Sequence, residues 1–243
     1  LDPRTDRITG SIALQEGANP WSLAFTGTQR AYVSNYVANS VSVVNIETRQ
    51  IIDTIPVGPG PEGILVVDNR AYVANTGGYS GAAPYQGSIS VIDITTDSVT
   101  HTLPVPDNPQ DLALAPDKQI HVLCTGDYVN TSGSVAVINP SGGADYSTPT
   151  VTDTIALGGS PAFIEITAEG IAYCLDWGTS EHGFIYSYDT AMDSVLHGSE
   201  SPILTGPNAG HLLYDPLESC LWIVSMTQWG GDGFVQQYDT ELD

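Results

Sequence analysis

Residues 31–35 read Ala-Tyr-Val-Ser-Asn and residues 71–75 read Ala-Tyr-Val-Ala-Asn, so one five-residue phrase occurs twice with a single change. Looser copies of this phrase lie further along the chain, at residues 120–124, 172–176 and 221–225. A phrase that recurs at intervals of roughly 40 to 50 residues indicates one structural unit built several times. The repeat therefore decides the fold, whereas the function has to be argued from individual sites.

The second unit displays the complete pattern. A Gly60-Pro61 turn precedes an apolar run at residues 64–67, and the phrase at 71–75 is followed by β-rich runs at 89–94 and 99–105. Each run is short, rich in β-branched or aromatic residues, and bounded by turn-forming residues. No stretch of the chain carries a sustained helical period. Four strands in each repeated unit are typical of a β-propeller blade.

The sequence therefore predicts an all-β protein, a β-propeller of four-stranded antiparallel blades that forms a single domain over residues 1–243. Five blades are expected. The last unit supplies three strands, so an N-terminal strand at residues 7–14 is expected to close it and remove two open sheet edges. A fragment of a six- to seven-bladed propeller is the alternative. The expected blades span approximately residues 15–57, 58–105, 106–157, 158–204, and 205–243 together with 1–14.

This arrangement resembles the YVTN β-propeller repeat family, known from archaeal surface-layer proteins and related bacterial surface proteins. The likeness is close at residues 31–35 and 71–75 and looser later, where the phrase's Asn becomes Cys124, Asp176 and Ser225. The resemblance implies the propeller fold and suits an extracellular or cell-surface location. It implies little about function, because this repeat builds binding modules, surface proteins and some enzymes.

The charge balance is strongly acidic, with 28 Asp and Glu against 6 Lys and Arg and a net charge of −22. Such a surface repels phosphate backbones, so nucleic acid is not an expected partner. No run of about 18 apolar residues occurs, so no transmembrane segment is predicted. Two interpretations of the charge stay open: a halophilic-like adaptation for solubility, and a surface that collects cations.

Three cysteines, Cys124, Cys174 and Cys220, form no Cys-x-x-Cys pair, so the sequence predicts neither a zinc site nor a redox motif. They are expected to be small buried hydrophobic residues, or to include a disulfide between Cys174 and Cys220. No metal site and no cofactor are predicted.

In a propeller, the turn from the fourth strand to the next first strand shares a face with the loop from the second strand to the third. Here these connections are long and carry Gly-flanked aromatic residues, which offer flat apolar surface with a polar tip. Trp222 lies inside a predicted strand and is expected in the core. The predicted ligand-binding residues are Trp21, Tyr36, Tyr79, Tyr85, Tyr128, Trp177, Glu181, His182, His211, Trp229 and Asp232.

No catalytic motif is present, and no catalytic residue is assigned. The sequence favours a non-enzymatic, extracellular or cell-surface propeller that binds a protein, glycan or small molecule on its aromatic face. One alternative is an enzyme at the channel mouth. A lyase or lactonase would use His182 and His211, and a glycosidase would use Glu62, Asp111 and Glu165. The other alternative is a structural surface-layer or filament subunit that self-assembles on a cell surface.

Overall fold

In the computed structural model of this chain, residues 8, 10–78, 86–141, 148–228 and 231–240 are described. These residues form five antiparallel sheets and, within the described ranges, no α-helix. The prediction of an all-β protein built from repeated sheets is therefore confirmed. Four sheets have a strand in all four expected positions, and the fifth has three strands in the part of the chain described.

The strands follow one another along the chain, and each pairs with the next within its sheet, except that β17 in sheet 4 pairs with β15 beside β16. Sheet 1 contains β1 (Pro20–Phe25), β2 (Arg30–Asn35), β3 (Ser40–Asn45) and β4 (Gln50–Pro56). Sheet 2 contains β5 (Pro61–Val67), β6 (Arg70–Asn75), β7 (Ser88–Asp93) and β8 (Ser98–Pro104). Sheet 3 contains β9 (Pro109–Leu114), β10 (Ile120–Cys124), β11 (Ser134–Asn139) and β12 (Thr150–Ala156). Sheet 4 contains β13 (Pro161–Ile166), β14 (Ile171–Asp176), β15 (Phe184–Asp189), β16 (Ser194–His197) and β17 (Ile203–Leu204). Sheet 5 contains β18 (His211–Asp215), β19 (Cys220–Met226) and β20 (Gly233–Asp239).

Sheets 1 to 4 each pack against the sheet that follows. Four buried apolar clusters fill the spaces between sheets 1 and 2, 2 and 3, 3 and 4, and 4 and 5. The first strands β1, β5, β9, β13 and β18 make contacts in that order. Hydrogen bonds support the packing: the Ser34 hydroxyl donates to the Glu62 carbonyl at 2.6 Å, and the Thr125 hydroxyl donates to the Pro161 carbonyl at 2.7 Å. Burial of apolar area between sheets thus holds the assembly together.

The second residue of the repeated phrase lies on the face that packs against the following sheet. Tyr32, for example, contacts Asp97, in the turn between β7 and β8 of the next sheet. The last member of the series differs, because Trp222 is far more exposed than its counterparts. The exposed fractions are 0% for Tyr32, 1% for Tyr72, 0% for His121, 2% for Tyr173 and 37% for Trp222.

The face of sheet 5 that bears Trp222 is uncovered. Leu213, Val224 and Val235 are also exposed there. The expectation that Trp222 belongs to the core is therefore wrong. Trp222 lies in a strand whose sequence pattern is that of a buried residue, but burial at this position requires a following sheet. The free face of sheet 1 is also largely uncovered, since Leu23 and Phe25 are exposed there.

The fifth residue of the phrase fastens the second strand to the third. In sheet 2 the Asn75 amide donates hydrogen bonds to the hydroxyls of Ser88 and Ser90. In sheet 4 the acceptor Asp176 replaces Asn, and the donor at the position of Ser90 is the Tyr186 hydroxyl, 2.9 Å away. Two of the looser copies, those with Asp176 and Ser225, therefore keep a hydrogen-bonded partner. The hydrogen-bonded side-chain pairs are Asn35 and Ser42, Asn75 and Ser90, Asp176 and Tyr186, and Ser225 and Gln236.

The expected N-terminal strand at residues 7–14 does not form over residues 10–14, which belong to no strand. This part of the segment lies beside sheet 1 rather than sheet 5. Gly10 lies so close to the guanidinium of Arg49, between β3 and β4, that a Cβ added to it would be 2.3 Å from that group. Ile12 and Leu14 line a cavity together with Val37, between β2 and β3. The prediction that this segment closes the last blade is therefore wrong for these residues.

Cys124, Cys174 and Cys220 are buried and free, so the interpretation as small buried hydrophobic residues holds and the Cys174–Cys220 bridge does not form. Burial raises the pKa of the thiols of Cys124 and Cys174 above the usual range. Among the described residues, no helix has the length and apolar character needed to cross a bilayer.

The uncovered face of sheet 5 can be tested with two substitutions at the same repeat position. We expect Tyr173→Ala to destabilise the fold by about 3–5 kcal/mol, because its ring is fully buried. Trp222→Ala should cost about 1 kcal/mol or less, since much of its ring already contacts water. Urea denaturation measures both. Equal losses would contradict the open face and would indicate that another sheet covers Trp222.

Candidate functional site

The turn that begins each sheet adopts a strained local conformation set by Asn or Gly. Asn19, Gly60 and Asn108, each directly before Pro, have positive φ angles of 51°, 62° and 59°, a region that Gly and Asn tolerate best. The carbonyls of Asn19 and Asn108 accept hydrogen bonds from the main-chain N–H groups of Tyr36 and Thr125, each at 2.9 Å. The Pro turns and the loops between second and third strands therefore lie together at one end of each sheet.

A β-bulge follows the Pro at the start of the first strand in sheets 1 to 4. A bulge leaves a residue out of the regular pairing and redirects its side chain. The residues in these positions include Trp21, Glu62, Gln110 and Ala162, and all four line one cavity. The bulges thus explain why side chains from separate sheets converge there.

This space, the inner cavity, has a volume of about 300 Å³. The first strand of every sheet contributes to it, and Trp177 joins from the loop after β14. It is continuous with an outer cavity of about 390 Å³, because both are lined by Trp21, Glu62, Gln110 and Trp177. The other lining residues are Ser22, Gly63, Asp111, Ala162, Phe163 and His211 for the inner cavity, and Asn19, Tyr36, Asn108 and Tyr128 for the outer cavity.

Aromatic rings form much of the wall. The ring centroids of Trp21 and Tyr36 are 5.9 Å apart, and those of Phe163 and His211 are 4.9 Å apart. Trp21 and Trp177 keep roughly half of their surface exposed, so their rings are accessible from solvent. Such rings provide rigid apolar contact area for a ligand.

Tyr128 is held in place by its own loop. The Asp127 carboxylate accepts hydrogen bonds from the main-chain N–H groups of residues 129–131. These bonds, of which the one from Thr131 has the largest effect, hold the pKa of Asp127 well below its usual range. Tyr128 has a φ of 62°, and its hydroxyl accepts a hydrogen bond from the Gln110 amide at 3.0 Å. The loop therefore presents the Tyr128 ring at the rim of the outer cavity.

Three carboxyl groups lie on successive first strands. Glu62 is 5% exposed, and its Oε2 atom has no hydrogen-bond partner among the described residues. Burial, together with the charge of Asp111, raises the pKa of Glu62 to about 8 and that of Glu165 to about 7. Burial also raises the pKa of Asp111 to about 6, against the effect of hydrogen bonds from the N–H groups of Ile164 and Leu112.

The predicted site residues fall into three groups. Those that line the two cavities are Trp21, Tyr36, Tyr128, Trp177 and His211. Glu181, His182 and Asp232 are exposed on loops and line neither cavity. Tyr79, Tyr85 and Trp229 lie outside the described residues.

Sequence reasoning missed Gln110 and Asn108, and it considered Glu62 only as an enzymatic alternative. The signal that could have found Gln110 and Glu62 is their position directly after the turn Pro, shared with Trp21. Glu165 contributes to the electrostatics but lines neither cavity. Within the described ranges, no group of three or more His, Cys, Asp or Glu is arranged to hold a metal ion.

Comparison with known proteins yields structural neighbours only. No protein-family model and no curated protein matches the chain. It is similar to hydrazine synthase of Kuenenia stuttgartiensis, with a TM-score of 0.70 and 20% identity over 92% of this chain and 60% of that one. It is also similar to the computationally designed Ika8 protein, with a TM-score of 0.62 and 13% identity over 90% of this chain and 58% of that one.

The chain thus spans about 60% of the length of these neighbours. At such low identity the likeness concerns the fold and not the activity.

The buried carboxyl of Glu62 makes stability depend on pH. Because its pKa is raised on folding, the folded state binds the proton more tightly, and stability falls as the pH rises from about 4.5 to about 8. Between pH 5 and pH 8 this loss is on the order of 2–4 kcal/mol. Glu62→Gln should remove it, whereas Glu218→Gln, an exposed acid between β18 and β19, should not. Denaturation curves at pH 5, 6.5 and 8 measure this, and identical pH profiles for both variants would contradict it.

Proposed function

We propose that the five sheets are blades of a β-propeller and that the protein is a binding module which holds a small ligand in the inner and outer cavities. One observation carries this proposal: the first strand of every sheet contributes a side chain to the inner cavity. In folds built from repeated units, a site of this kind lies where the units converge, because single residues can vary there without disturbing the repeat.

The lining suits recognition of a small molecule. Its volumes of about 300 and 390 Å³ lie at the lower end of the range found for small-molecule sites, roughly 300–1,000 Å³. Aromatic walls from Trp21 and Trp177 are combined with polar groups of Glu62, Gln110 and Asn108. Apolar contact supplies affinity in such sites, and a few polar groups fix the orientation.

An enzyme that acts on glycosidic bonds is the second candidate, and the carboxyl groups favour it. Glu62, with its pKa raised to about 8, is protonated at neutral pH, as a general acid must be. Asp111, the nearby carboxyl, accepts hydrogen bonds from the N–H groups of Leu112 and Ile164 and so also ties β9 to β13. This second role makes Asp111 a less suitable nucleophile, so we favour binding without catalysis.

The surroundings of the protein also belong to the proposal. The net charge of −22 and the likeness of residues 31–35 and 71–75 to YVTN repeats support an extracellular or cell-surface location. In this proposal, the acidic surface keeps the protein soluble and gathers cations around it.

The binding proposal predicts a specific loss when the aromatic walls are removed. A panel of neutral sugars, organic amines and organic acids would be tested by thermal shift and tryptophan fluorescence. At least one class should raise the melting temperature of the wild type but not that of the Trp21→Ala, Trp177→Ala double variant. The double variant itself should lose about 1–2 kcal/mol of stability at most, since both rings are partly exposed.

Trp222→Ala is the matched control, because it removes a partly exposed Trp that lines neither cavity. It should retain the ligand response. If no class binds, or if binding survives the double substitution, the binding proposal fails. Hydrolysis of aryl glycosides that is lost in Glu62→Gln would favour the glycosidase instead.

A further inference from the structure

We propose that the ligand of the two cavities is a small organic ammonium compound, whose cationic head lies against Glu62 and Asp111 and between the rings of Trp21 and Trp177. This inference rests on the proposed function and adds the chemical class of the ligand.

The Glu62 side chain lacks a partner that a ligand could provide. It is nine-tenths or more buried, and Oε2 accepts no hydrogen bond from the described residues. Buried polar atoms in folded proteins are nearly always satisfied, so an exception beside a cavity calls for a missing group. A positively charged head with N–H or polarised C–H groups would satisfy a carboxylate there.

The backbone holds Glu62 firmly in this place. Its carbonyl accepts the hydrogen bond from Ser34, and the next residue, Gly63, lies against the following sheet. A Cβ at Gly63 would come within 2.7 Å of the Gln110 carbonyl, so β5 and β9 approach more closely than another residue would allow. The two strands that carry Glu62 and Asp111 are therefore fixed side by side, as a preorganised site requires.

The aromatic walls favour a cation over a neutral ligand. An ammonium group over the face of a Trp ring is attracted by the negative face of its π system, an attraction that a neutral ligand lacks. Trp21 and Trp177 both line the two cavities, together with Tyr36 and Tyr128 in the outer one. Aromatic rings are the usual means of recognising quaternary ammonium groups, and here carboxyl groups lie in the same lining.

The composition of the lining argues against an anion and against a metal ion. Neither cavity is lined by Lys or Arg, and His211 is the one basic side chain among the described lining residues, so an anionic ligand would meet more acidic groups than basic ones. A hard metal ion needs about six oxygen ligands or more, and no group of three acidic, His or Cys ligands occurs in the described part of the chain. An organic cation needs no such set, because rings and two carboxylates are enough.

Binding should be coupled to proton release. The titratable groups that share the cavities with Glu62 are Asp111 on β9, His211 on β18, and the hydroxyls of Tyr36 and Tyr128. Glu165 on β13 interacts electrostatically with Asp111. At neutral pH the Glu62 carboxyl is largely protonated because its pKa is about 8. A cation binds the ionised form better, so affinity should increase as the pH rises through this value.

Calorimetric titration with choline, whose charge does not depend on pH, tests the inference. In 150 mM NaCl, which screens the general surface charge, choline should bind about tenfold or more tightly at pH 9 than at pH 6. Its neutral isostere 3,3-dimethylbutan-1-ol should bind more weakly and without this pH dependence. At pH 9, where the Glu62 carboxyl is ionised, Glu62→Gln should lower the affinity for choline about tenfold or more, whereas at pH 6 it should change the affinity little, so most of the pH dependence is lost. Glu218→Gln should behave as the wild type at both pH values.

Trp177→Leu is a second variant that does not depend on the behaviour of Glu62→Gln. Leu keeps an apolar wall but has no π face, so the affinity for choline should fall several-fold while that for the isostere is unchanged. Equal affinities for choline and the isostere, or an unchanged pH dependence in Glu62→Gln, would overturn the inference. A neutral sugar that binds through Trp21 and Trp177 in place of choline would also overturn it, yet would leave the proposed function standing. Absence of any ligand would refute both.

Discussion

Each of sheets 1 to 4 buries one face against the sheet that follows it, and the second residue of the repeated phrase lies on that face. The fully buried Tyr32, Tyr72, His121 and Tyr173 occupy four successive contacts. Because the same contact is made four times, the first strands follow one another in a row and their beginnings meet around a shared space. The repeat thus determines where a site can form, and it leaves the free faces of sheets 1 and 5 rich in exposed apolar side chains.

The site uses positions that the packing does not require. The bulge after each turn Pro removes one residue from the regular pairing, so Trp21, Glu62 and Gln110 can differ in character while β1, β5 and β9 remain alike. The acids among them reduce stability above neutral pH, because their pKa values are raised in the folded state. A buried carboxyl that costs stability and has no partner is common at functional sites and rare in structural cores.

Much of the fold could be predicted from the phrase at residues 31–35 and its copies, because strand length, alternation and turn residues agree in each unit. The position of the N-terminal segment could not be predicted, because its pairing depends on which sheet edge it meets. Gly10 lies beside Arg49 of sheet 1 and not beside sheet 5. The predicted burial of Trp222 was wrong, because burial of a side chain on this face of sheet 5 depends on a neighbouring sheet and not on the sequence of its own strand. Five site residues were predicted from the turns and loops at one face. Gln110 was missed, and Glu62 was considered only for an enzyme, because their position directly after the turn Pro does not by itself show that a bulge directs both side chains into the cavity.

Crystals soaked with arsenocholine, in which arsenic replaces the quaternary nitrogen, would test the central claim most directly. The arsenic anomalous signal locates the cationic head without any assumption about its partners. The account predicts the strongest peak inside the cavities, beside the Glu62 carboxyl and within about 6 Å of the Trp177 ring centroid. Peaks distributed over the acidic surface, with the cavities empty, would contradict it.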